Sequence, residues 1–336
     1  MRWRLILADL AGTREAVTFV LLAIAFTIFS FASPYFLDSL TFSFILTNSV
    51  EIGMIALTMT IVMVMGEIDL SVGSILGLAA AMLGAMTTHG VPFVLAIVIA
   101  LATGLVAGLL NAALCIGFGL PSVVVTLGTL ALYRGIAELV IGSNNVSTFP
   151  SWFGGWNIKY AFGMITYPQI FWFVFIVIAI VVLHRLRFGR HVSFIGSNPR
   201  AAVFAGIRVN RMKIIVFAAS GLMSAVAALI LVSRLQSVDN TAGVGFELVV
   251  ITAVLLGGTD FKGGYGTIVG TALAVLLIGV VEYGLELLGV SAQVTTAVIG
   301  ALLIVSILVD LATNALQARG WRYTARRPTA GEEATS

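Results

Sequence analysis

Six acidic side chains stand in or beside long apolar stretches of this 336-residue sequence, where an ionised carboxylate is costly and marks a functional position by default. They are Glu51, Glu67, Asp69, Glu138, Glu282 and Glu286. Such groups can contact a solute, relay protons or pair with a base. Arg134 lies four residues before Glu138, so within one helix we expect a structural ion pair. Asp69 and Asp260 each precede a new apolar run, and their more ordinary role is to cap helix starts beside the cytoplasmic surface.

Amide and hydroxyl side chains in the same stretches are the groups that would bind an uncharged, hydroxylated solute. Asn111, which lies in a run without charged residues from 70 to 133, is the best single candidate. Glycines around such groups would open the space that a solute needs. The candidates for the solute path or its gate are Asn48, Glu67, Asp69, Ser71, Asn111, Thr126, Asp260 and Gln293.

Several classes of chemistry lack their sequence signatures. The chain has no G-x-x-x-x-G-K-[ST] loop that would cradle ATP phosphates, so hydrolysis would be the work of another subunit. The three histidines, His89, His184 and His191, form no H-E-x-x-H motif and no evident serine-histidine pair. The single Cys115 cannot form a disulfide within the chain and implies no metal cluster. The sequence therefore predicts no catalytic residue, cofactor or metal in this chain.

Composition places these residues in a membrane. Apolar residues make up 60% of the chain and charged residues 10%, whereas a soluble domain is nearer a quarter charged. At about 20 residues per crossing, the hydrophobic segments predict an all-α, polytopic transmembrane helix bundle of about ten helices. The spans are 16–33, 43–65, 71–88, 92–116, 121–141, 169–186, 214–233, 246–258, 266–288 and 293–312.

Basic residues fix the orientation, because cytoplasmic loops and ends are enriched in lysine and arginine. Fourteen of the 18 lie at the start of the chain, between 185 and 213, or between 319 and 327. We therefore expect both termini and the central loop to be cytoplasmic, with six crossings before that loop and four after it. The net charge of +3 is explained by this topology and by anionic lipids, so nucleic acid is not an expected partner. The outer loops would be 142–168, a docking surface or an aromatic belt, and 234–245.

Two segments are irregular for simple crossings. The stretch 248–258 has only 11 residues, about 16 Å of helix against a hydrocarbon core of roughly 30 Å, and predicts a half-helix or re-entrant segment. The segment before Gly66 is similar, since 15 uncharged residues separate Glu51 from Glu67. Both are followed by the pattern G-x-x-D-x-x-x-G, at 66–73 and 257–264, an offset of 191. We predict an internal duplication with halves of about 43–141 and 246–312, either with one crossing gained or lost or with halves running in opposite directions.

The central loop, 185–213, holds seven basic residues and no acid. Within it, 198–206 predicts one short helix, because Asn198 is a good N-cap, Pro199 suits the first position and Gly206 suits the residue past the end. Such a helix could lie on the membrane surface or protrude to meet a soluble subunit.

Four stretches together resemble a known family along nearly the whole chain. They are Gly-Glu-Ile-Asp-Leu-Ser-Val-Gly-Ser (66–74), Thr-Leu-Gly-Thr-Leu with Tyr-Arg-Gly (126–135), Ile-Gly-Ser-Asn-Pro-Arg-Ala-Ala-Val-Phe-Ala-Gly-Ile (195–207) and Val-Leu-Leu-Gly-Gly-Thr-Asp-Phe-Lys-Gly-Gly-Tyr-Gly (254–266). The set is similar to the permeases of the ribose, xylose, rhamnose and autoinducer-2 branch of bacterial ABC importers. At position 67 many ribose-type members have glycine. The glutamate found here makes the chain look more like the rhamnose and autoinducer-2 permeases.

The resemblance implies a single transmembrane permease domain, 1–336, in the bacterial inner membrane. Its partners would be a cytoplasmic ATPase that binds ATP and Mg²⁺, a periplasmic solute-binding protein, and a second permease subunit, identical or homologous. The central loop would couple to the ATPase through Gly196, Asn198, Pro199, Arg200, Ala201, Ala202, Gly206 and Ile207. The main alternative is an ion-coupled secondary transporter, which uses similar broken helices and membrane acids; an intramembrane enzyme is less favoured.

Overall fold

The computed structural model describes residues 14–142, 145–158, 160–163 and 165–324, and its regular structure is almost entirely helical. The helices are α1 (Arg14–Ala32), α2 (Ser39–Val64), α3 (Val72–Thr88), α4 (Phe93–Gly117), α5 (Ser122–Ile141), α6 (Ser151–Ile158), α7 (Tyr167–Ile180), α8 (Arg187–Ser197), α9 (Pro199–Phe204), α10 (Val209–Leu235), α11 (Phe246–Leu256), α12 (Ile268–Leu287) and α13 (Ala292–Thr324). A π-helical turn, Val181–Arg185, continues α7. The predicted all-α bundle is confirmed.

Within the described ranges, seven helices are long and apolar enough to cross a membrane: α1, α2, α4, α5, α7 with its π-helical turn, α10 and α12. Three shorter apolar helices are α3, α11 and the Ala292–Leu308 part of α13. These ten follow the ten predicted spans in order. Arg2, Arg4, Arg326 and Arg327, which support the prediction of cytoplasmic termini, lie outside the described residues.

The predicted loops contain structure that hydropathy did not indicate. The outer loop 142–168 includes the short helix α6 and a hairpin of two strands, β1 (Tyr160–Phe162) and β2 (Ile165–Thr166). The central loop contains an 11-residue helix, α8, before the predicted short helix. In α8, Gly189, Val192 and Ile195 are buried at a spacing of three residues, so its inner face follows the helical period.

Helix α2 has 26 residues, so the prediction of a short segment before Gly66 is wrong. Glu51 does not end the helix. Its carboxylate, 1% exposed, accepts a hydrogen bond from Arg234 Nε at 2.7 Å. An acid with a basic partner can remain inside a helical bundle in a membrane, which the sequence pattern around Glu51 does not reveal.

The stretch 236–245, predicted as an outer loop, instead descends into the bundle along α3. Val238 packs beside Gly84 near the C-terminal end of α3, and the Gly243 carbonyl oxygen lies against Gly73 near the start of that helix. Gly84 and Gly73 are 11 residues apart in α3, which corresponds to about 16 Å of depth at 1.5 Å per residue. We call 236–245 the broken segment.

Helix α11 completes the crossing that the broken segment begins. Its 11 residues add about 16 Å, so segment and helix together cover the roughly 30 Å of a hydrocarbon core. The predicted half-helix is thus confirmed. The other half of the crossing is the broken segment, which was predicted as an outer loop but is irregular backbone inside the bundle.

The turns after α2 and α11 share one backbone geometry. Gly66 and Gly258 have positive φ angles of 82° and 87°. The N–H of Glu67 donates to Val62 O at 3.1 Å, and that of Thr259 donates to Val254 O at 3.2 Å, as in a Schellman helix end. Equivalent glycines are therefore 192 residues apart rather than 191. This likeness supports the predicted duplication, which stays a prediction.

Neither Asp69 nor Asp260 caps a helix, so that prediction is wrong. Thr267 caps α12 through a hydrogen bond from Gly270 N at 3.0 Å, and Ser71 holds the N-cap position of α3. Each aspartate instead closes a turn by accepting an N–H two residues ahead, from Ser71 at 3.1 Å and from Lys262 at 2.9 Å. Short polar side chains favour such turns as readily as helix caps.

Glycines bring α4 and α10 into backbone contact. A Cβ at Gly221 would overlap the Gly104 carbonyl oxygen and come within 2.8 Å of Gly108 N. Small residues at such positions are typical of helix pairs that pack tightly in a membrane.

We expect Gly221→Ala to destabilise the protein by about 1–3 kcal/mol, because the added methyl group forces two packed helices apart. Thermal unfolding in detergent, followed by tryptophan fluorescence, would show a lower midpoint. Gly117→Ala is the matched control, since nothing lies within 4 Å of its Cβ position. Equal midpoints for the two variants would contradict this account of the α4–α10 contact.

Candidate functional site

A buried hydrogen-bond network surrounds Asp69, in the turn between α2 and α3. Its Oδ1 accepts from the Ser71 hydroxyl at 2.6 Å, and its Oδ2 accepts from the Ser220 hydroxyl of α10 at 2.9 Å. Asp69, Ser71 and Ser220 are all fully buried. Three hydrogen bonds to one carboxylate, counting the Ser71 N–H, supply the compensation that a buried charge requires.

The network continues into α4 and α5. Asn111 Nδ2 donates to Ser71 Oγ at 2.8 Å, and the Tyr133 hydroxyl donates to Asn111 Oδ1 at 3.1 Å. The Thr126 hydroxyl lies 3.3 Å from the Ile68 carbonyl oxygen. Four predicted path residues, Asp69, Ser71, Asn111 and Thr126, are therefore brought into one region. Asp69, Ser71 and Asn111 are joined by side-chain hydrogen bonds, and Thr126 donates to backbone carbonyl oxygens, among them that of Ile68. The arrangement therefore holds the turn between α2 and α3 against three helices.

The other four predicted path residues lie apart from that network. Glu67 forms an ion pair with Lys213 at the start of α10. Asn48 is half-buried in α2, and Asp260 lies in the turn after α11. Gln293 is exposed at the start of α13. The structure thus gathers half of the predicted set and distributes the rest over different helices.

The predicted short helix of the central loop is α9. Asn198 caps it by accepting from Ala201 N at 3.0 Å, Pro199 is its first residue, and Gly206 has a φ of 79°. Ala202 is buried, and Ile207 N donates to its carbonyl at 3.0 Å. We call α8 and α9 together the elbow.

The elbow rests on both of the turns that follow the Schellman ends of α2 and α11. A Cβ at Gly196 would overlap the Val64 carbonyl oxygen and approach Gly264 N. Gly264 N also donates to Val64 O at 2.7 Å, and Gly66 lies against Gly263. Three stretches of backbone therefore meet without side chains between them, which only glycine allows at these distances.

The face of the elbow that is not packed on the bundle is exposed, and it carries both charged and apolar side chains. Arg187, Arg190 and Arg200 are exposed. Phe204, at the end of α9, is 92% exposed. An aromatic side chain so far out of the fold is a typical anchor for a partner protein. Sequence analysis predicted this helix and its caps but gave no reason to single out Phe204.

Arg134 differs from the prediction, because its guanidinium serves the broken segment rather than an ion pair within α5. Its Nη1 donates to Ala242 O at 2.8 Å and lies 3.5 Å from Asn240 O. Glu247, in the first turn of α11, and Glu138 both act on this guanidinium electrostatically. Irregular backbone inside a membrane needs such donors, because its carbonyl groups lack helical partners. The sequence does indicate irregular backbone at 239–245, which is rich in residues typical of turns. It does not reveal how deep in the bundle this backbone lies.

Among the residues that the structure describes, no group of three or more histidine, cysteine, aspartate or glutamate side chains is placed to hold a metal ion. Carboxylates in the bundle are instead engaged by arginine, lysine and hydroxyl groups, as for Glu51, Glu67 and Asp69.

Comparison with known proteins agrees with this architecture. Residues 41–307 match the family model described as branched-chain amino acid transport system / permease component. Three curated relatives, each an autoinducer 2 import system permease protein LsrD, come from Enterobacter sp. (strain 638), Escherichia coli (strain SMS-3-5 / SECEC) and Escherichia coli (strain K12). They are 38%, 40% and 39% identical over 300 residues, 88% of this chain and 91% of each relative. No solved structure matches the chain.

These matches confirm the resemblance drawn from the four sequence stretches. The family model covers most of the ten apolar helices, and its range, 41–307, includes the broken segment and the elbow. Import systems of this kind combine a permease with an ATPase and a solute-binding protein. The chain therefore belongs to this family of permease components, and it is a multi-pass inner-membrane permease subunit of an ABC importer.

Proposed function

We propose that this permease, paired with a second permease subunit, carries a small sugar-like solute of the autoinducer-2 type into the cytoplasm. The solute class is supported by the names of relatives about 39% identical along 91% of their length. Rhamnose, ribose or another pentose would present similar hydroxyl groups. Glu67, which the resemblance connects with the rhamnose and autoinducer-2 permeases, is present and paired with Lys213.

The elbow supports the proposal that transport is coupled to ATP. We propose that Gly196, Asn198, Pro199, Arg200, Ala201, Ala202, Gly206 and Ile207 form or support the surface that binds the ATPase. ATP and Mg²⁺ would be bound by that partner, and this chain would need no cofactor of its own. Exposed Arg200 and Phe204 beside the membrane offer a charged and an apolar contact to one soluble partner.

The orientation that we propose rests on the same surface. The elbow and its basic side chains belong on the cytoplasmic side by the positive-inside rule. We therefore place both termini in the cytoplasm, with α6 and the β1–β2 hairpin on the periplasmic side, where a solute-binding protein would dock. The chain would act as one domain whose two halves, about 43–141 and 246–312, each contain a turn on which the elbow rests.

A role for the predicted path residues also remains a proposal. Asp69, Ser71, Asn111 and Thr126 would act by keeping the turn before α3 in place. Glu67 would act through its ion pair with Lys213 near the cytoplasmic ends of the helices. Asn48, Asp260 and Gln293 are proposed to contact the solute or a partner subunit at separate stages of transport.

The proposal is tested by uptake in proteoliposomes that contain the permease pair. We expect uptake of labelled autoinducer 2 only when the ATPase and ATP are present at the cytoplasmic face of the permease and the binding protein is present at the opposite face. The matched control replaces ATP with a non-hydrolysable analogue. Uptake driven by a proton or sodium gradient without the ATPase would instead establish the secondary transporter.

A further inference from the structure

The broken segment exposes polar groups at a depth where lipid cannot accept them. Asp239, Asn240 and Thr241 are exposed in this chain. The Asn240 carbonyl lies near Arg134, which stands seven residues before the outer end of α5 at Ile141, or about 10 Å below that end at 1.5 Å per residue. Ala242 lies opposite Gly77 of α3. Gly77 is 11 residues before the end of that helix at Thr88, or about 16 Å below it.

Lipid is excluded as the neighbour of this surface on physical grounds. Irregular backbone and charged side chains are found at membrane depth only where protein covers them or water reaches them. Asp239 Oδ1 accepts from Thr241 N at 2.8 Å and from Thr241 Oγ1 at 2.7 Å, so these residues form a polar turn rather than a flexible loop. All three residues of the turn are nonetheless exposed in this chain.

The inner side of the segment is, by contrast, fully engaged. Val238 pairs with Val146 through two hydrogen bonds of 2.9 Å, Gly243 packs on Gly73, and Arg134 holds the Ala242 carbonyl at 2.8 Å. The segment is thus fixed on one side and open on the other, in the middle of a crossing. Discontinuous helices of this kind place solute sites near the bilayer midplane in other transporter folds.

We propose that Asp239, Asn240 and Thr241 line a water-filled solute path and contact a hydroxylated solute there, with Arg134 as the positioning residue that holds their backbone. This rests on the proposed import function for the nature of the solute, though not for the presence of water. Carboxylate, amide and hydroxyl groups together offer the donors and acceptors that an uncharged polyol needs. The solute would meet this turn after leaving the binding protein and before reaching the elbow side of the bundle.

The test uses single cysteines in a Cys115→Ser background, since Cys115 is the chain's one cysteine and is buried. In the permease pair with its ATPase in proteoliposomes, Asn240→Cys and Thr241→Cys are treated with a charged, water-soluble methanethiosulfonate. Val177→Cys is the depth-matched control, because Val177 is 60% exposed and lies ten residues after the start of α7 at Tyr167, or about 15 Å below that end. We expect the two path cysteines to react at least about tenfold faster, since a thiol in apolar surroundings does not ionise.

Solute contact is read from protection by autoinducer 2, rhamnose and ribose as hydroxylated probes. We expect at least one of them to slow the labelling of Thr241→Cys and none to affect Val177→Cys. Labelling no faster than the control would overturn the proposal, as would cross-linking of Thr241→Cys between two permease chains without reagent access. Fast labelling that no probe slows would leave a wetted wall and refute the solute contact.

Arg134 has its own readout. Arg134→Met should change the labelling rate of Thr241→Cys, because the released carbonyls let the turn move, and Arg134→Lys should restore much of it by donating to one carbonyl. A rate that is unchanged in Arg134→Met would show that Arg134 does not position the turn. Labelling requires no transport, so a failure of ATP-driven import would be distinguished from a failure of this proposal.

Discussion

Phe204→Glu is expected to abolish ATP-driven uptake while leaving the permease folded in the membrane. Phe204 is 92% exposed at the end of α9, so the permease itself loses little packing when it is replaced. If the side chain is an anchor in the ATPase, its loss removes about 2 kcal/mol or more of binding, roughly 30-fold in affinity. Co-purification of the ATPase with the permease, and ATP hydrolysis by the complex, measure the effect.

Phe118→Glu is the matched control for this change. Phe118 is 74% exposed and follows α4, outside the elbow. The proposed topology places it on the same side of the membrane as the elbow. Ala202→Glu would be a poorer test, since Ala202 is fully buried and a glutamate there would disrupt the elbow itself. Normal ATPase binding by Phe204→Glu would show that the elbow couples through other residues or not at all.

Asp69→Val should cause the largest loss of stability among single substitutions in the polar network. It leaves the Ser71 and Ser220 hydroxyls and the Ser71 N–H without their shared acceptor. Stranding buried polar groups in this way costs about 3 kcal/mol. Thermal unfolding in detergent and the yield of folded protein would both fall.

Asp69→Asn separates hydrogen bonding from charge in the same position. Asparagine retains an acceptor for Ser71, and the Ser220 hydroxyl can reverse its direction, so we expect a loss of only about 1 kcal/mol. Asp38→Val serves as a comparison at an exposed site, where losing the N-cap hydrogen bond to Leu40 also costs about 1 kcal/mol. If Asp69→Asn is as damaging as Asp69→Val, the negative charge itself is required.

Hydropathy and charge were sufficient to predict the ten apolar helices and the short length of α11. They were sufficient because burial in lipid dictates the length and composition of each crossing. Local caps were readable for α9, since Asn198, Pro199 and Gly206 act within one turn of the helix. The same reasoning failed for Asp69 and Asp260, because closing a turn and capping a helix call for the same residue type.

The remaining errors share one cause, which is that partners distant in sequence are invisible to local patterns. The charge of Glu51 makes the segment before Gly66 look short in the sequence, because its partner Arg234 is 183 residues away. Arg134 looked paired with Glu138 four residues on, although its hydrogen bonds reach Ala242. The broken segment reads as a polar loop, and only its contacts with Gly84 and Gly73 show its depth.

The contact of Gly196 with Val64 and Gly264 has a mechanical consequence. Side chains between two elements can change rotamer and so accommodate a small displacement of one element without moving the other. Here no side chain lies between the elements, and backbone contacts backbone directly at both turns. A movement of the elbow is therefore transmitted directly to the end of α2 and to the short helix α11.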